Sequence, residues 1–238
     1  MSNVQRKRRI TTLLVIAIVP LYFLIQEIVT KSPETAETPS VNITEKIDTN
    51  QPLAIAELET LEIKGRAPKT GYSRDEFGNG WAKWSNCDVR QKVLIRDLYD
   101  VTLGDNNCTV LTGKLDDPYT GKTIDFIRGS GTSSAVQIDH VVALSDAWQK
   151  GAQYFDRETR IALANDDLEL LAVDGKANQQ KSDGDAATWL PSNKAFRCQY
   201  VARQVAIKSK YELWMTQAEY DAIKKILNTC PEQRLPSP

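Results

Sequence analysis

The sequence predicts an α+β domain in which helices dominate and a few short strands are set among them. Two C-terminal stretches carry most of the helical part. NKAFRCQYVARQVAIKSKY (193–211) and TQAEYDAIKKILNTC (216–230) both repeat apolar residues at the spacing of a buried helix face. The strands show as short runs bounded by turn residues, most clearly CTVLTGKL (108–115) and KTIDFIR (122–128), which flank the turn DPYTG. Four cysteines, Cys87, Cys108, Cys198 and Cys230, form no Cys-x-x-Cys pair. An even number without that spacing points to two disulfides in an oxidising compartment and away from thiolate-bound zinc.

The N-terminal part is different material. QRKRR (5–9) is a cationic block, and the apolar stretch ITTLLVIAIVPLYFLIQEIV (10–29) follows it. That stretch is long enough to cross ~30 Å of hydrocarbon at about 1.5 Å per residue. It reads as a signal peptide or a single membrane anchor. No small-x-small cleavage site follows its core, which favours the uncleaved anchor. Residues 1–9 then stay cytoplasmic and the rest of the chain faces outward, anchored to the membrane or secreted if the helix is cleaved. TKSPETAETPSVNITEKIDTNQP (30–52) is rich in Thr, Ser, Pro and Glu and lacks the apolar content that offsets ordering entropy. It predicts a flexible stalk reaching to residue 64, with LAIAELETLEI (53–63) as a short leading helix.

The globular domain is expected over 65–238. GYSRDEFGNGW (71–81) is turn-rich. CDVRQKVLIRDLYD (87–100) aligns Val89, Val93, Leu94 and Leu98 on one helix face. AVQID (135–139) is a short strand, and VVALSDAWQKG (141–151) a helix ended by Gly151. DRETRIALAN (156–165) predicts another helix. DLELLAVD (167–174) predicts a strand closed by the turn Asp174-Gly175, and ANQQKSDG (177–184) a short helix. Thr216 with Glu219 forms a capping-box signature. Three disulfide connectivities are possible. Cys87–Cys108 with Cys198–Cys230 is preferred, because each closes a short loop around one helix or hairpin.

Composition narrows function. The formal net charge is −1, which argues against a protein that coats nucleic acid non-specifically, though not against an enzyme with a local basic cleft. His140 is the single histidine, placed directly after Asp139 at a predicted strand end. Such a carboxylate can bind a divalent cation while the neutral imidazole takes a proton from water, the two needs of phosphodiester hydrolysis. An oxygen-donor site suits Mg²⁺, Mn²⁺ or Ca²⁺ better than zinc. Asp-His alone is more often the mark of a histidine satisfied in a core. The second stretch, DLELLAVDGKANQQKSDGD (167–185), adds a return strand, a short helix, Asn178 as an amide-oxygen ligand, and Lys181.

With these pieces together the chain resembles the HNH endonucleases, the His-Me finger or ββα-metal nucleases. Within them it is similar to the extracellular bacterial family related to the C-terminal nuclease domain of modification-dependent restriction enzymes. The matching segments are GYSRDEFGNGW, CDVRQKVLIRDL, DPYTGKTIDFIRG, VQIDHVVALSDAWQKGA, LELLAVDGKANQQKSDGD, ATWLP and FRCQYV, in family order from about residue 65 to 230. The resemblance implies a ββα-metal finger embedded in the mainly helical domain. It implies His140 as general base, Asp139 and Asn178 as metal ligands, and Lys181 beside the phosphate or the fold of the finger. Glu169 falls at the middle motif position, where the family has Asn to brace the finger loop, and so adds a charge. The implied cofactor is Mg²⁺ or Mn²⁺, with Ca²⁺ or Zn²⁺ as alternatives. The implied partner is nucleic acid, DNA preferred over RNA, besides the membrane at the N-terminal helix. The rival is a catalytically inactive cell-surface nucleic-acid-binding domain, which Glu169 alone supports.

Other residues carry plainer readings. Asp183 and Asp185 read as solvated, with reach to the metal or its waters as the alternative, and Trp148 and Trp189 as core, with stacking on a base as the alternative. Arg197, Arg203, Lys208 and Lys210 share one predicted helix, either a phosphate-binding or a solvated face. Arg128, Arg157 and Arg160 are candidates for stabilising a pentacovalent phosphate, and sequence does not choose among them.

Overall fold

The computed structural model describes residues 50–237. The segments assigned by sequence to cytoplasm (1–9), anchor (10–29) and most of the stalk lie outside the described residues. Among the described residues no helix is long and apolar enough to cross a membrane. The described fold is mixed α/β with short strands. In chain order it runs α1 (Ala54–Leu58), β1 (Lys83–Trp84), β2 (Cys87–Asp88), α2 (Val89–Asp97), β3 (Tyr99–Leu103), β4 (Val110–Asp116) and β5 (Thr123–Ile127). It continues with β6 (Val136–His140), α3 (Leu144–Gln149), α4 (Arg157–Ala164), β7 (Leu170–Asp174), α5 (Gly175–Lys181), α6 (Arg197–Lys210) and α7 (Gln217–Leu227).

Three antiparallel sheets result: β1-β2, β3-β4-β5 and β6-β7. The β6-β7 hairpin is central. Ile138 faces Ala172 and His140 faces Leu170 across it, while Asp139 faces Leu171. Side chains alternate between the two faces of a strand, so one face (Val136, Ile138, Leu170, Ala172) packs with Val93 and Leu94 of α2 and with Phe126. The other (Leu171, Val173) packs with Tyr119 and with Tyr200, Val201 and Val205 of α6. Helices thus cover the hairpin on both faces, which is why β7 reads as a continuous apolar run. A third apolar cluster joins Phe77, Trp148, Leu163 and Ile207.

Several expectations change. α1 belongs to the core, not to a stalk: Ala54 and Leu58 are fully buried, and Leu53 bridges to Arg234. The helix expected from Val141 begins only at Leu144, because Val141 and Val142 donate their N–H groups to Glu169 instead. Asp174-Gly175 is no hairpin turn. Asp174 caps α5 by accepting the Ala177 N–H at 2.7 Å, and Gly175 is the first helical residue. Thr216 caps α7 through the Glu219 N–H at 3.2 Å, but the Glu219 carboxylate turns into the core. Strand β3 pairs with β4 where the sequence showed only the tail of a helix. The disulfides are Cys87–Cys108 and Cys198–Cys230, the preferred pairing.

Candidate active site

The β6-β7 hairpin continues directly into α5, so Asp139, His140, Asn178 and Lys181 come from one compact unit. β6 is paired on one side only. A cleft of about 820 Å³ runs along its open edge, and every residue from Val136 to His140 lines it, with Asn178 and Gln179 of α5 opposite. Lining an edge rather than a face is what lets Asp139 and His140, on opposite faces, reach one cleft.

His140 is held tightly. Its Nε2 lies 3.0 Å from the Ala164 carbonyl. A carbonyl only accepts, so Nε2 carries the proton and Nδ1 keeps the ring's lone pair. Trp81 stacks on the imidazole at 5.7 Å and 5°. Burial, and then the nearby Arg74 charge, push the imidazole pKa down to about 3. The ring is therefore neutral at ordinary pH, with the lone pair of Nδ1 unprotonated.

Asp139 is buried beneath the cleft. Its Oδ1 accepts from Lys181 Nζ at 2.9 Å, and its Oδ2 accepts from the Tyr119 hydroxyl. Burial holds its pKa above the usual carboxylate value, against the pull of Lys181 and Tyr119. Each carboxylate oxygen offers about two acceptor sites, so each retains one beyond the bond it makes. Asn178 donates its amide N–H to Gln137 Oε1 at 2.9 Å, leaving the amide oxygen as acceptor on the cleft wall. A carboxylate and an amide oxygen without thiolate form a hard, sparse donor set. It fits a divalent ion that keeps waters and takes substrate oxygens.

Lys181 is fully buried and donates to Asp139 and to the His140 carbonyl at 2.7 Å. It does not line the His140 cleft. Glu169 is also fully buried and does not touch the imidazole. Its carbonyl accepts the Val141 N–H at 2.8 Å, and its Oε2 accepts the Val142 N–H at 3.1 Å. It braces the loop that leaves His140. Burial pushes its pKa well above the carboxylate range, which opposes the added charge expected at this position. A protonated carboxyl resembles an amide in having one acceptor and one donor side.

The remaining candidates scatter. Arg160 donates to Glu76 and to the Phe155 carbonyl and packs on Trp148, while Arg157 donates to the Asp75 carbonyl. Arg203 is buried against the Leu168 carbonyl, and Arg197 donates to Pro191. Neither is an open phosphate-binding face. Asp183 lines the cleft, paired with Lys69 at 3.2 Å. Asp185 is not solvated. It sits with Asp146 and Glu219 in a buried acidic cluster of metal-like spacing. Lys150 Nζ, however, lies 2.7, 2.8 and 2.6 Å from Asp146, Asp185 and Glu219. Lys208 and Arg66 complete the set. Three cations answer three carboxylates, so the cluster ties the helices together and has no charge left for a metal.

Sequence reasoning passed over Tyr119, Trp81, Arg74 and Arg90, all at the cleft or against its key residues. For Arg90 a signal existed: on a helix its three- and four-residue neighbours Asn86, Cys87, Val93 and Leu94 include no acid to pair with it.

Comparison with known proteins follows the same line. The family model for the C-terminal domain of GmrSD restriction endonucleases matches residues 88–226. An uncharacterized secreted protein of Arthroderma benhamiae is 36% identical over 175 residues, which is 73% of this chain and 82% of that protein. No solved structure matches the chain.

Proposed function

The chain belongs to the family of the GmrSD restriction endonuclease C-terminal domain, a nuclease family, and we propose that it is an extracytoplasmic, metal-dependent HNH endonuclease hydrolysing phosphodiester bonds, with DNA preferred over RNA. The observation that carries this reading is His140, neutral, its Nε2–H held by the Ala164 carbonyl and its ring stacked on Trp81, at the open edge of a hairpin that runs into α5. The order hairpin then helix supports reading this unit as a ββα-metal finger.

The chain's residues then act as follows. His140 Nδ1 accepts a proton from a water in the cleft, and that water's oxygen bonds to phosphorus in line with the leaving group. The bond from phosphorus to the 3′-oxygen breaks, the 3′-oxygen takes a proton from solvent, and the products carry 5′-phosphate and 3′-hydroxyl ends. Arg74 lines the cleft beside the imidazole and neutralises phosphate charge. Asp139 and Asn178 would hold a Mg²⁺ or Mn²⁺ ion, which when bound would supply stabilisation of charge on the leaving oxygen. Lys181 and Tyr119 fix the Asp139 carboxylate, and Glu169 fixes the loop after His140. The inactive-domain rival drew on a charge at Glu169; burial, which raises the pKa of that carboxyl, disfavours the charge and so weakens the rival. The secreted relative supports an extracellular setting, and the two disulfides agree with it.

The test is plasmid nicking by the oxidised full chain with Mg²⁺, Mn²⁺ or EDTA, beside His140→Ala. Metal-dependent nicking that His140→Ala abolishes, with an unchanged melting temperature, is expected. Undiminished nicking by the variant refutes the assignment.

A further inference from the structure

The cleft extends well beyond the imidazole. Val136 and His140 stand at opposite ends of β6, four residues apart, and strand rise places their backbones roughly 13 Å from each other. Arg74 belongs to the His140 end, since it also lines the smaller cavity behind the imidazole. Arg90 belongs to the other end: its guanidinium donates to the Val136 carbonyl, at a long 3.5 Å. The serine-rich loop 129–135 leads into the same residue, and Ser130, Ser133 and Ser134 line the cleft there.

Arg90 is half-buried, and among the described residues no carboxylate forms an ion pair with it. The nearest acid on its own element, Asp88, caps α2 by accepting the Gln91 N–H at 3.0 Å. Burial and the charge of Arg128 both press its pKa below the usual arginine value. A guanidinium partly removed from water, under the repulsion of a second cation and sharing a cleft with serine side chains, is a site that an anion completes. Its planar fork suits phosphate. The scissile phosphate, at His140, is too far along the strand to be that anion. At an axial rise of about 3.4 Å per nucleotide, and allowing for the reach of the side chain, the distance corresponds to about two to four nucleotides.

We infer that Arg90 and the Ser130–Ser134 loop form a flanking-phosphate subsite, which grips the backbone of a polynucleotide two to four nucleotides from the bond at His140. This rests on the nuclease reading and adds to it a substrate class: chains of several nucleotides rather than single phosphodiesters.

The test reads binding, not turnover. The oxidised full chain, in EDTA, is titrated against a fluorescently labelled single-stranded oligonucleotide of about 16 nucleotides, at several salt concentrations. Arg90→Gln is expected to weaken binding about tenfold and to reduce the slope of log affinity against log salt by about 0.7, the share of one phosphate contact on a single strand. Arg90→Lys, which keeps the charge but loses the planar fork, restores the salt slope and recovers only part of the affinity. Ser130→Asp, on an exposed loop position that does not threaten folding, places a carboxylate in the subsite and weakens binding to a similar extent. Wild-type affinity and salt slope in both Arg90→Gln and Ser130→Asp overturn the inference. An Arg90 effect on binding in a protein that never nicks DNA leaves the subsite standing and refutes the nuclease reading; nicking by a protein whose binding ignores both substitutions does the reverse.

Discussion

Replacing Glu169 by glutamine is expected to make stability less sensitive to pH, and the structure sets the size of the effect. The Glu169 side chain has no solvent exposure. One carboxyl oxygen accepts the Val142 N–H, and the other has no hydrogen-bond partner among the described residues. Burial raises its pKa well above the ordinary value, outweighing the opposite pull of the Val142 N–H and Lys181. In the unfolded chain the same group ionises near ~4.3. As pH rises past that value the unfolded state releases its proton while the folded state keeps it. The unfolded state then binds fewer protons, so stability falls with rising pH, by about 1.4 kcal/mol per pH unit, until the folded state also ionises. Glutamine mimics the protonated acid and does not titrate. It adds one buried N–H over the acid's single O–H, an initial cost of about 1–3 kcal/mol. Glu169→Gln should therefore equal or trail the wild type at pH 4 and gain on it by roughly 1.4 kcal/mol for each unit above ~4.3 within that window. Urea unfolding of both proteins, disulfides intact, at pH 4, 5.5 and 7 measures this. A stability difference that stays constant over that range refutes the protonated brace.

The other predictions are simpler. Gly175→Ala would put a Cβ 2.1 Å from the Ser134 carbonyl oxygen; the loop must move, and a loss of about 1–3 kcal/mol in thermal unfolding is expected, with an unchanged melting curve contradicting it. Lys150→Met removes the cation shared by Asp146, Asp185 and Glu219. The uncompensated charge should cost about 3–5 kcal/mol, and a denaturant midpoint near wild type would show that the network is not held together as described. Asn178→Ala is expected to shift the Mg²⁺ or Mn²⁺ titration of nicking to higher concentration, several-fold at least; an unshifted titration counts against its oxygen as a ligand.

What the sequence made legible follows from where each kind of information resides. α6 and α7 were legible because each writes its buried face into a local period, and the β4-β5 hairpin because DPYTG marks its turn. β3 was not: Tyr99, Asp100, Thr102 and Leu103 are all exposed, so no alternation records the strand. The run after His140 was misread for the opposite reason. Val141, Val142 and Ala143 are buried without being helical, and a short apolar run looks the same in either conformation.

The candidate site divides in the same way. Asp139, His140, Asn178 and Lys181 were legible because one hairpin and its following helix keep them together in the sequence as well as in space. The charges were harder. Lys150 and Glu219 meet in the core from distant parts of the chain, yet each reads locally as one more polar position on a helix. A buried cation can be recognised only through its counter-charges, and Lys150, Lys208 and Arg66 find theirs. Arg90 differs in having none in ion-pair contact among the described residues: Asp88 attracts it only from its place as the helix cap, and Arg128 adds repulsion. A cation's want of a partner is settled by its placement in three dimensions: the missing acids at the helical neighbours of Arg90 only hint at it in the sequence, and the structure makes it a mark of where an anion belongs.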